Sequence, residues 1–281
     1  MDVTHQTDDE QTKLWNGPAG RAWVEAQESL DQMLQPFEDL LVEAVAAGPG
    51  ARVLDVGCGT GSTTLAVARR LGAKGRSVGV DISEPMIALA RARAEREGTP
   101  ASFIRANAQT HAFEPASFDT IISRFGVMFF DDPVRAFANL RRAAKDDALL
   151  RLVVWRSATE NPFMTTAERA AAPLLPNLPP RRPDGPGQFA FANHDRVHSI
   201  LEESGWSGID IQPIDVDCTL PETELEGYVT RLGPVGLILQ EVDDRTRAGV
   251  VETVRRAFDP YVRGSEVEFT AACWIVGARA A

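Results

Sequence analysis

Residues 53–61 read Val53-Leu54-Asp55-Val56-Gly57-Cys58-Gly59-Thr60-Gly61, a short apolar run with β-branched residues that breaks into three glycines at alternate positions. Ser62-Thr63-Thr64-Leu65-Ala66-Val67-Ala68-Arg69-Arg70-Leu71 follows with helical apolar spacing and stops at Gly72. Strand, glycine turn and helix in that order form the βα unit of a nucleotide-binding fold. Glycine lets the chain turn tightly and approach a ligand where a Cβ would collide. The helix then aims its free N–H groups and positive dipole end at that ligand. Counted from Gly57, the third glycine is Gly61, one residue earlier than in the dinucleotide pattern G-x-G-x-x-G, whose sixth position here is Ser62.

Working outward, Arg76-Ser77-Val78-Gly79-Val80-Asp81-Ile82-Ser83 reads as the next strand, with an acidic residue at its tip. A carboxylate there accepts both hydroxyls of a ribose; it can equally serve as a helix cap or turn residue. Pro85 and Met86 open a helix running to Gly98, and Phe103-Ile104-Arg105-Ala106-Asn107-Ala108-Gln109 reads as a third strand ending in an Asn-Ala pair. Thr120-Ile121-Ile122-Ser123 is a buried fourth strand, followed by Arg124-Phe125-Gly126-Val127-Met128-Phe129-Phe130-Asp131-Asp132-Pro133. A helix over Ala136–Arg142 and a fifth strand over Ala148–Trp155 complete the series.

This ordered set, over about residues 50–156, resembles the class I S-adenosylmethionine-dependent methyltransferases, whose first motif is an apolar pair, an acidic residue and G-x-G-x-G. Within them it is similar to the ubiquinone/menaquinone-biosynthesis C-methyltransferase family. The resemblance implies an α/β fold: a Rossmann-like, doubly wound sheet of seven strands with an added α-helical cap. It implies S-adenosyl-L-methionine as cofactor, contacted by Gly57, Gly59, Thr60, Asp81, Ile82, Met86, Asn107, Ala108, Gln109 and Ser123. Met86 would lie against the adenine, although helical spacing alone makes it a core residue. Arg124, Phe125, Met128 and Trp155 fall where such enzymes bind the acceptor. Arg124 suits an acidic acceptor or pairing with a neighbouring carboxylate. One departure is Lys145-Asp146-Asp147-Ala148, where relatives usually carry a Pro-Gly-Gly turn.

The organisation expected is a helical lid over 1–48, the cofactor-binding core over 49–158, and a cap insertion with C-terminal completion of the sheet over 159–281. In the lid, Trp15 precedes Asn16-Gly17-Pro18 and a helix bearing Trp23, with Leu30, Met33, Leu34, Phe37, Leu40 and Leu41 at helical spacing. An aromatic ring near a sulfonium favours the cation, so Trp15 is a candidate cofactor contact; anchoring the segment to the core is the alternative. Residues 160–190 hold Pro162, Pro173, Pro176, Pro179, Pro180, Pro183 and Pro186, which forbids one continuous helix across their second half. Phe163, Met164, Phe189 and Phe191 give this stretch apolar surface for a pocket. Glu222 to about Phe258 reads as a further helical stretch, and Ile209–Val216 and Val267–Val276 as strands making an antiparallel edge.

The chain has 281 residues, 44% hydrophobic and 25% charged, with a formal net charge of −11. That balance argues against a nucleic-acid partner, which calls for a basic face. No stretch is apolar enough for a membrane span, and Asp2 to Lys13 lacks the apolar core of a signal peptide. Cys58, Cys218 and Cys273 are widely spaced, as expected of free thiols in a reducing cytoplasm rather than a zinc site. No metal is expected: His194 and His198 are four apart but lack a third ligand, and Asn193 reads as the helix N-cap. No catalytic base stands out, His111 and His194 being the nearest candidates. The expected reaction is direct in-line transfer of a methyl to an O, N, S or C nucleophile of a small molecule by a monomer or homodimer. A nicotinamide-dependent oxidoreductase, a non-catalytic adenosylmethionine-binding protein and a methyltransferase acting on a macromolecule are the rival classes.

Overall fold

The computed structural model describes residues 3–45, 48, 50–181 and 185–280. Asp2 and Pro183, and the segment ends at Met1, Pro49 and Ala281, lie outside the described residues. The sheet has the strand order β3-β2-β1-β4-β5-β8-β6, from β1 (Arg52–Val56), β2 (Arg76–Asp81), β3 (Ala101–Arg105), β4 (Phe118–Arg124), β5 (Ala144–Trp155), β6 (Ser207–Pro221) and β8 (Glu266–Arg279); the two-residue β7 (Val262–Arg263) pairs with β8. The first five strands are parallel, while β8 runs antiparallel to both β5 and β6. β1 and β4 are buried almost end to end, as strands covered on both faces must be.

The chain winds outward from β1 to β2 and β3 through α5 (Ser62–Leu71) and α6 (Glu84–Glu97), then returns to β4 and winds the other way through α7 (Pro133–Ala143) and α9 (His194–Glu203). Right-handed crossovers place these two helix pairs on opposite faces. The reversal opens a crevice at the carboxyl ends of β1 and β4, the place where doubly wound sheets bind ligands.

Two additions close over that crevice. The N-terminal segment forms four short helices, α1 (Val3–Asn16), α2 (Pro18–Glu25), α3 (Gln27–Met33) and α4 (Gln35–Ala44). The second addition combines α8 (Pro162–Ala171), which follows β5, with α10 (Leu225–Arg231), α11 (Gly233–Ile238) and α12 (Asp244–Ala257), which lie between β6 and β8. These helices pack together, and α11 reaches α2. The expected helix over 222–258 is therefore broken. Gly233 takes φ +69° and Pro234 follows it, and Asp243 caps α12 by accepting from the Thr246 N–H. The proline-rich stretch after α8 holds no helix before α9 among the described residues, and Asn193 caps α9 by accepting from the Arg196 N–H.

The edge hairpin extends well beyond the expected Ile209–Val216 and Val267–Val276. β6 runs to Pro221 and stays paired with β8 down to Glu266, although most of its side chains past Ile211 are exposed or half-buried. At the atypical Lys145-Asp146-Asp147 stretch the chain continues as strand, and Asp147 takes φ +61°, the left-handed conformation for which glycine is suited. Its N–H donates to the Ala280 carbonyl at 2.7 Å.

Candidate functional site

A cavity of about 800 Å³ opens at the crevice between the sheet and the two additions. Gly57, Gly59, Asp81, Ile82, Met86, Asn107, Ala108 and Gln109 line one part of it, Trp15 and Trp23 stand over them, and Arg124, Phe125, Met128 and Trp155 line the rest with Phe163, Phe189, Tyr228 and Phe258. The scattered residues between Gly57 and Trp155 meet because the carboxyl ends of β1 to β5 meet there.

The three glycines of the turn have different duties. All take positive φ, at +68°, +54° and +88°. A Cβ on Gly57 would stand 2.6 Å from the Cα of Gly126, and one on Gly126 would stand 2.6 Å from the Cα of Gly57 and from the Val56 carbonyl oxygen. These two loops, after β1 and β4, touch backbone to backbone. A Cβ on Gly61 would meet Ala90 and Phe103 at 2.9 Å. Only Gly59 faces open space, its nearest neighbour being the Met86 sulfur at 3.7 Å. The expectation that Gly57 mainly admits a ligand is thus modified: the close approach it permits is to Gly126.

Asp81 Oδ2 accepts from the Gly59 N–H at 2.9 Å and Oδ1 from the Ser83 N–H at 2.8 Å. Burial pushes its carboxyl above the usual range, against the lowering effect of these N–H donors. Asn107 Oδ1 accepts from the Gln109 N–H at 2.9 Å. This side chain closes a turn on its own backbone, so β3 ends at Arg105 rather than running on through Gln109. Asn139 holds the turn from below, donating to the carbonyls of Ala108 at 2.8 Å and His111 at 2.9 Å. Gln109 is buried, its Oε1 accepting from the Asp132 N–H at 2.9 Å, and its Nε2 is buried without a partner.

Two expected cofactor contacts do not line the cavity. Thr60 is buried and its carbonyl accepts from Arg93 at 2.9 Å; the same guanidinium pairs with Asp31 of α3 at 2.7 Å. Ser123 is fully buried, donating to the Val56 carbonyl at 2.7 Å and accepting from the Gly126 N–H at 3.2 Å. It fastens the β1 and β4 loops together beneath the cavity. Both positions are occupied by protein groups.

Trp15 anchors the N-terminal segment, and it also lines the cavity. Its ring lines the cavity, edge-on to Phe129 at 5.1 Å and to Trp23 at 6.3 Å. Its carbonyl accepts from Ser83 Oγ at 2.6 Å, while Asn16 donates to the Ile82 carbonyl at 3.1 Å and accepts from the Glu84 N–H at 2.8 Å. Gly20 sits so close to the Trp15 carbonyl that any Cβ would overlap it. The N-terminal segment thereby grips the same β2–α6 turn that presents Asp81. Sequence reading missed this clamp, which depends on contacts across 66–68 positions.

Beneath the glycine turn lies a group of carboxylates. Asp55 is 1% exposed and accepts from Thr64 Oγ1 at 2.6 Å; Glu38 of α4 accepts from Ser62 Oγ. Burial, helped by the charges of Asp81 and Glu38, raises the Asp55 carboxyl to about 6, in spite of the Thr64 hydrogen bond and the charge of Arg124. An acid whose folded-state value is raised binds protons more readily folded than unfolded, so stability falls as pH rises from about 4 through 6. Asp55→Asn keeps an acceptor for Thr64 and removes the charge. It is expected to be more stable than the parent at pH 8 by on the order of 2–3 kcal/mol, with the advantage disappearing below pH 4. Urea midpoints across that range check it.

The candidate bases lie elsewhere. His111 packs edge-on to Phe113, and His194 pairs with Asp195 and packs against Trp274; neither lines the cavity. Cys58 is buried and its thiol is pushed well up by burial. Burial also raises the Tyr228 hydroxyl, which donates to the Met164 sulfur at 3.6 Å. Tyr228, Glu168 and Arg181 are cavity residues that no motif announced. Their helices and loops reach the crevice only through the cap.

Residues 53–147 match the family model described as "Methyltransferase domain". They form a class I S-adenosylmethionine-dependent methyltransferase domain. An uncharacterised protein of Mycobacterium tuberculosis is 31% identical over 153 residues, 54% of this chain and 51% of that protein. Demethylmenaquinone methyltransferase of Renibacterium salmoninarum is 26% identical over 185 residues, 63% of this chain and 75% of that protein. The chain spans about half the length of the first curated relatives it matches. In fold, the methyltransferase domain and its additions are similar to the YcgJ protein of Bacillus subtilis, with a TM-score of 0.58 at 17% identity over 87% of this chain and 98% of that one. The nicotinamide reading finds no support in these likenesses.

Proposed function

We propose that the protein transfers a methyl group from S-adenosylmethionine to a small molecule bound in the cavity beneath its cap. The observation that supports this most is Gly59 beside Asp81: one position in the glycine turn that faces open space, next to a carboxylate at the strand tip, within a methyltransferase domain. The residues fit the cofactor. A side chain at 59 would fill the cradle, Asp81 carries the remaining lone pairs for a ribose, and the buried Nε2 of Gln109 is a donor without a protein partner.

In this reading Gly57, Gly59, Asp81, Ile82, Met86, Asn107, Ala108 and Gln109 hold the cofactor and Trp15 covers it. Thr60 and Ser123 hold the loops that do so. Arg124, Phe125, Met128 and Trp155 face the acceptor. When bound, the cofactor supplies a methyl already activated by a positive sulfur, so the protein's contribution is chiefly alignment, worth on the order of 7–11 kcal/mol. This agrees with a cavity that no histidine lines among the described residues. The lid (1–48) and cap (159–281) exclude water from the core (49–158). An enclosed cavity and a net charge of −11 favour a small-molecule acceptor over nucleic acid. Among the described residues no helix is long and apolar enough to cross a membrane; a cytoplasmic monomer or homodimer is the arrangement proposed.

Titration of the purified chain with S-adenosylmethionine, S-adenosylhomocysteine and NADH in parallel tests the proposal. Micromolar binding of the two sulfur ligands and none of the nicotinamide is expected. Binding of NADH, or of none of the three, overturns it.

A further inference from the structure

Among the described residues three cationic side chains line the cavity, and two of them are engaged. Arg181 makes a two-pronged pair with Glu168, its Nε at 2.7 Å and its terminal nitrogen at 2.6 Å, and lies over the Phe189 ring at 4.7 Å. Arg231 reaches Glu25 at 3.9 Å. Arg124 has no carboxylate within ion-pair distance among the described residues. Its one hydrogen bond is a long one, 3.3 Å to the Leu34 carbonyl. Asp55 is near enough to feel its charge but is committed to Thr64. The sequence left open whether Arg124 pairs with a neighbour or meets a ligand. Among the described residues the structure supplies no carboxylate paired with it.

The surroundings say what kind of ligand would satisfy it. Phe125, next in the chain, is buried and takes φ +64°, a conformation that a bulky residue adopts only against strain and that tends to persist at binding sites. The twist lays its ring flat on Trp155, with centroids 4.5 Å apart and planes 10° from parallel, and Phe37 closes the edge at 5.0 Å. Arg124 and the two stacked rings line the same cavity. An unpaired cation held against apolar walls is costly unless a partner arrives, and a planar five-donor fork matches a carboxylate better than any other anion of that size.

We infer that the acceptor is a ring-bearing carboxylate, its rings over the Phe125–Trp155 stack and its carboxylate on Arg124. This rests on the methyltransferase reading and adds the class of acceptor to it. Arg124 is then a specificity-determining residue that sets which acceptors enter.

The test uses the full chain saturated with S-adenosylhomocysteine, titrated with 2-naphthoate and with its neutral counterpart 2-naphthamide. The parent protein is expected to bind the carboxylate about tenfold more tightly than the amide, or better. Arg124→Gln is expected to bring naphthoate down to the level of naphthamide, with naphthamide and S-adenosylhomocysteine changed by no more than about twofold. Arg124→Lys, which keeps the charge and loses the fork, should fall between. Should the Gln variant melt early, the comparison of the two probes on the parent still decides. Naphthoate no tighter than naphthamide on the parent, or an equal loss of both on the variants, overturns the inference. Failure of S-adenosylhomocysteine to bind at all would instead overturn the methyltransferase reading.

Discussion

Gly57→Ala is expected to unfold the protein or to lower its stability by about 4 kcal/mol or more, whereas Gly59→Ala is expected to leave the fold standing and abolish cofactor binding. Both residues take the left-handed conformation, so an alanine costs about 1–2 kcal/mol of backbone strain at either site. The difference lies in what the new methyl meets. At 57 it collides with the backbone of Gly126 at 2.6 Å, in the middle of the sheet where β1 and β4 part. Neither loop can retreat, because Ser123 bonds to both of them. Overlap with a fixed backbone is among the few mechanisms that exceed the ordinary range of mutational effects. At 59 the methyl enters empty space beside Met86, the space a bound ligand would occupy. Urea denaturation and calorimetric titration of the two variants separate the roles. A Gly57→Ala protein with the parent midpoint would show that the loops yield, and a Gly59→Ala protein that still binds would move the ligand off the turn.

Asp81→Ala is expected to weaken S-adenosylmethionine binding by roughly 2–4 kcal/mol, about 30- to 1000-fold, through loss of paired hydrogen bonds to a charged acceptor. The same carboxylate organises the site before any ligand arrives, since it holds the Gly59 and Ser83 N–H groups. Asp81→Asn retains one acceptor oxygen for these donors, so it should recover part of the turn and little of the ribose grip. Both variants should melt close to the parent temperature. An unchanged affinity in either would remove Asp81 from the cofactor site.

What was legible in the sequence is what is encoded locally. β1, the glycine turn, α5 and the acidic tip of β2 each declare themselves in ten residues or fewer, and all are where they were expected. Elements encoded by distant contacts were not legible. The clamp of Asn16 and Trp15 on residues 82–84 has no sequence signature. Nor does the mutual need of Gly57 and Gly126 for the absence of a side chain. The run from 222 to 258 reads as a helical stretch because α10, α11 and α12 each turn apolar faces inward, to Leu225, Val229, Val235, Val250 and Val254, and periodicity records the burial rather than the breaks between them. β6 was read short at its far end although its burial keeps alternating past Val216, with Cys218 and Leu220 buried beside exposed Asp217 and Thr219. Thr60 and Ser123 were legible as positions in a motif, but their bonds to Arg93, Val56 and Gly126 were not.

In the proposed reaction, the carboxylates under the turn bear on release of the cofactor. Asp55, Asp81 and Glu38 stand together with no lysine or arginine in ion-pair contact among the described residues, and Asp55 feels the charges of Asp81 and Glu38 against the one opposing charge of Arg124. In a site shielded from water such a field acts strongly on a neighbouring charge. Methyl transfer turns a positively charged sulfonium into a neutral thioether, so the pocket grips what goes in by an attraction that what comes out no longer feels. In the proposed reaction the discharge of the cofactor would thereby favour its release, and removing one of these charges with Asp55→Asn should narrow the gap in affinity between the spent and the loaded form.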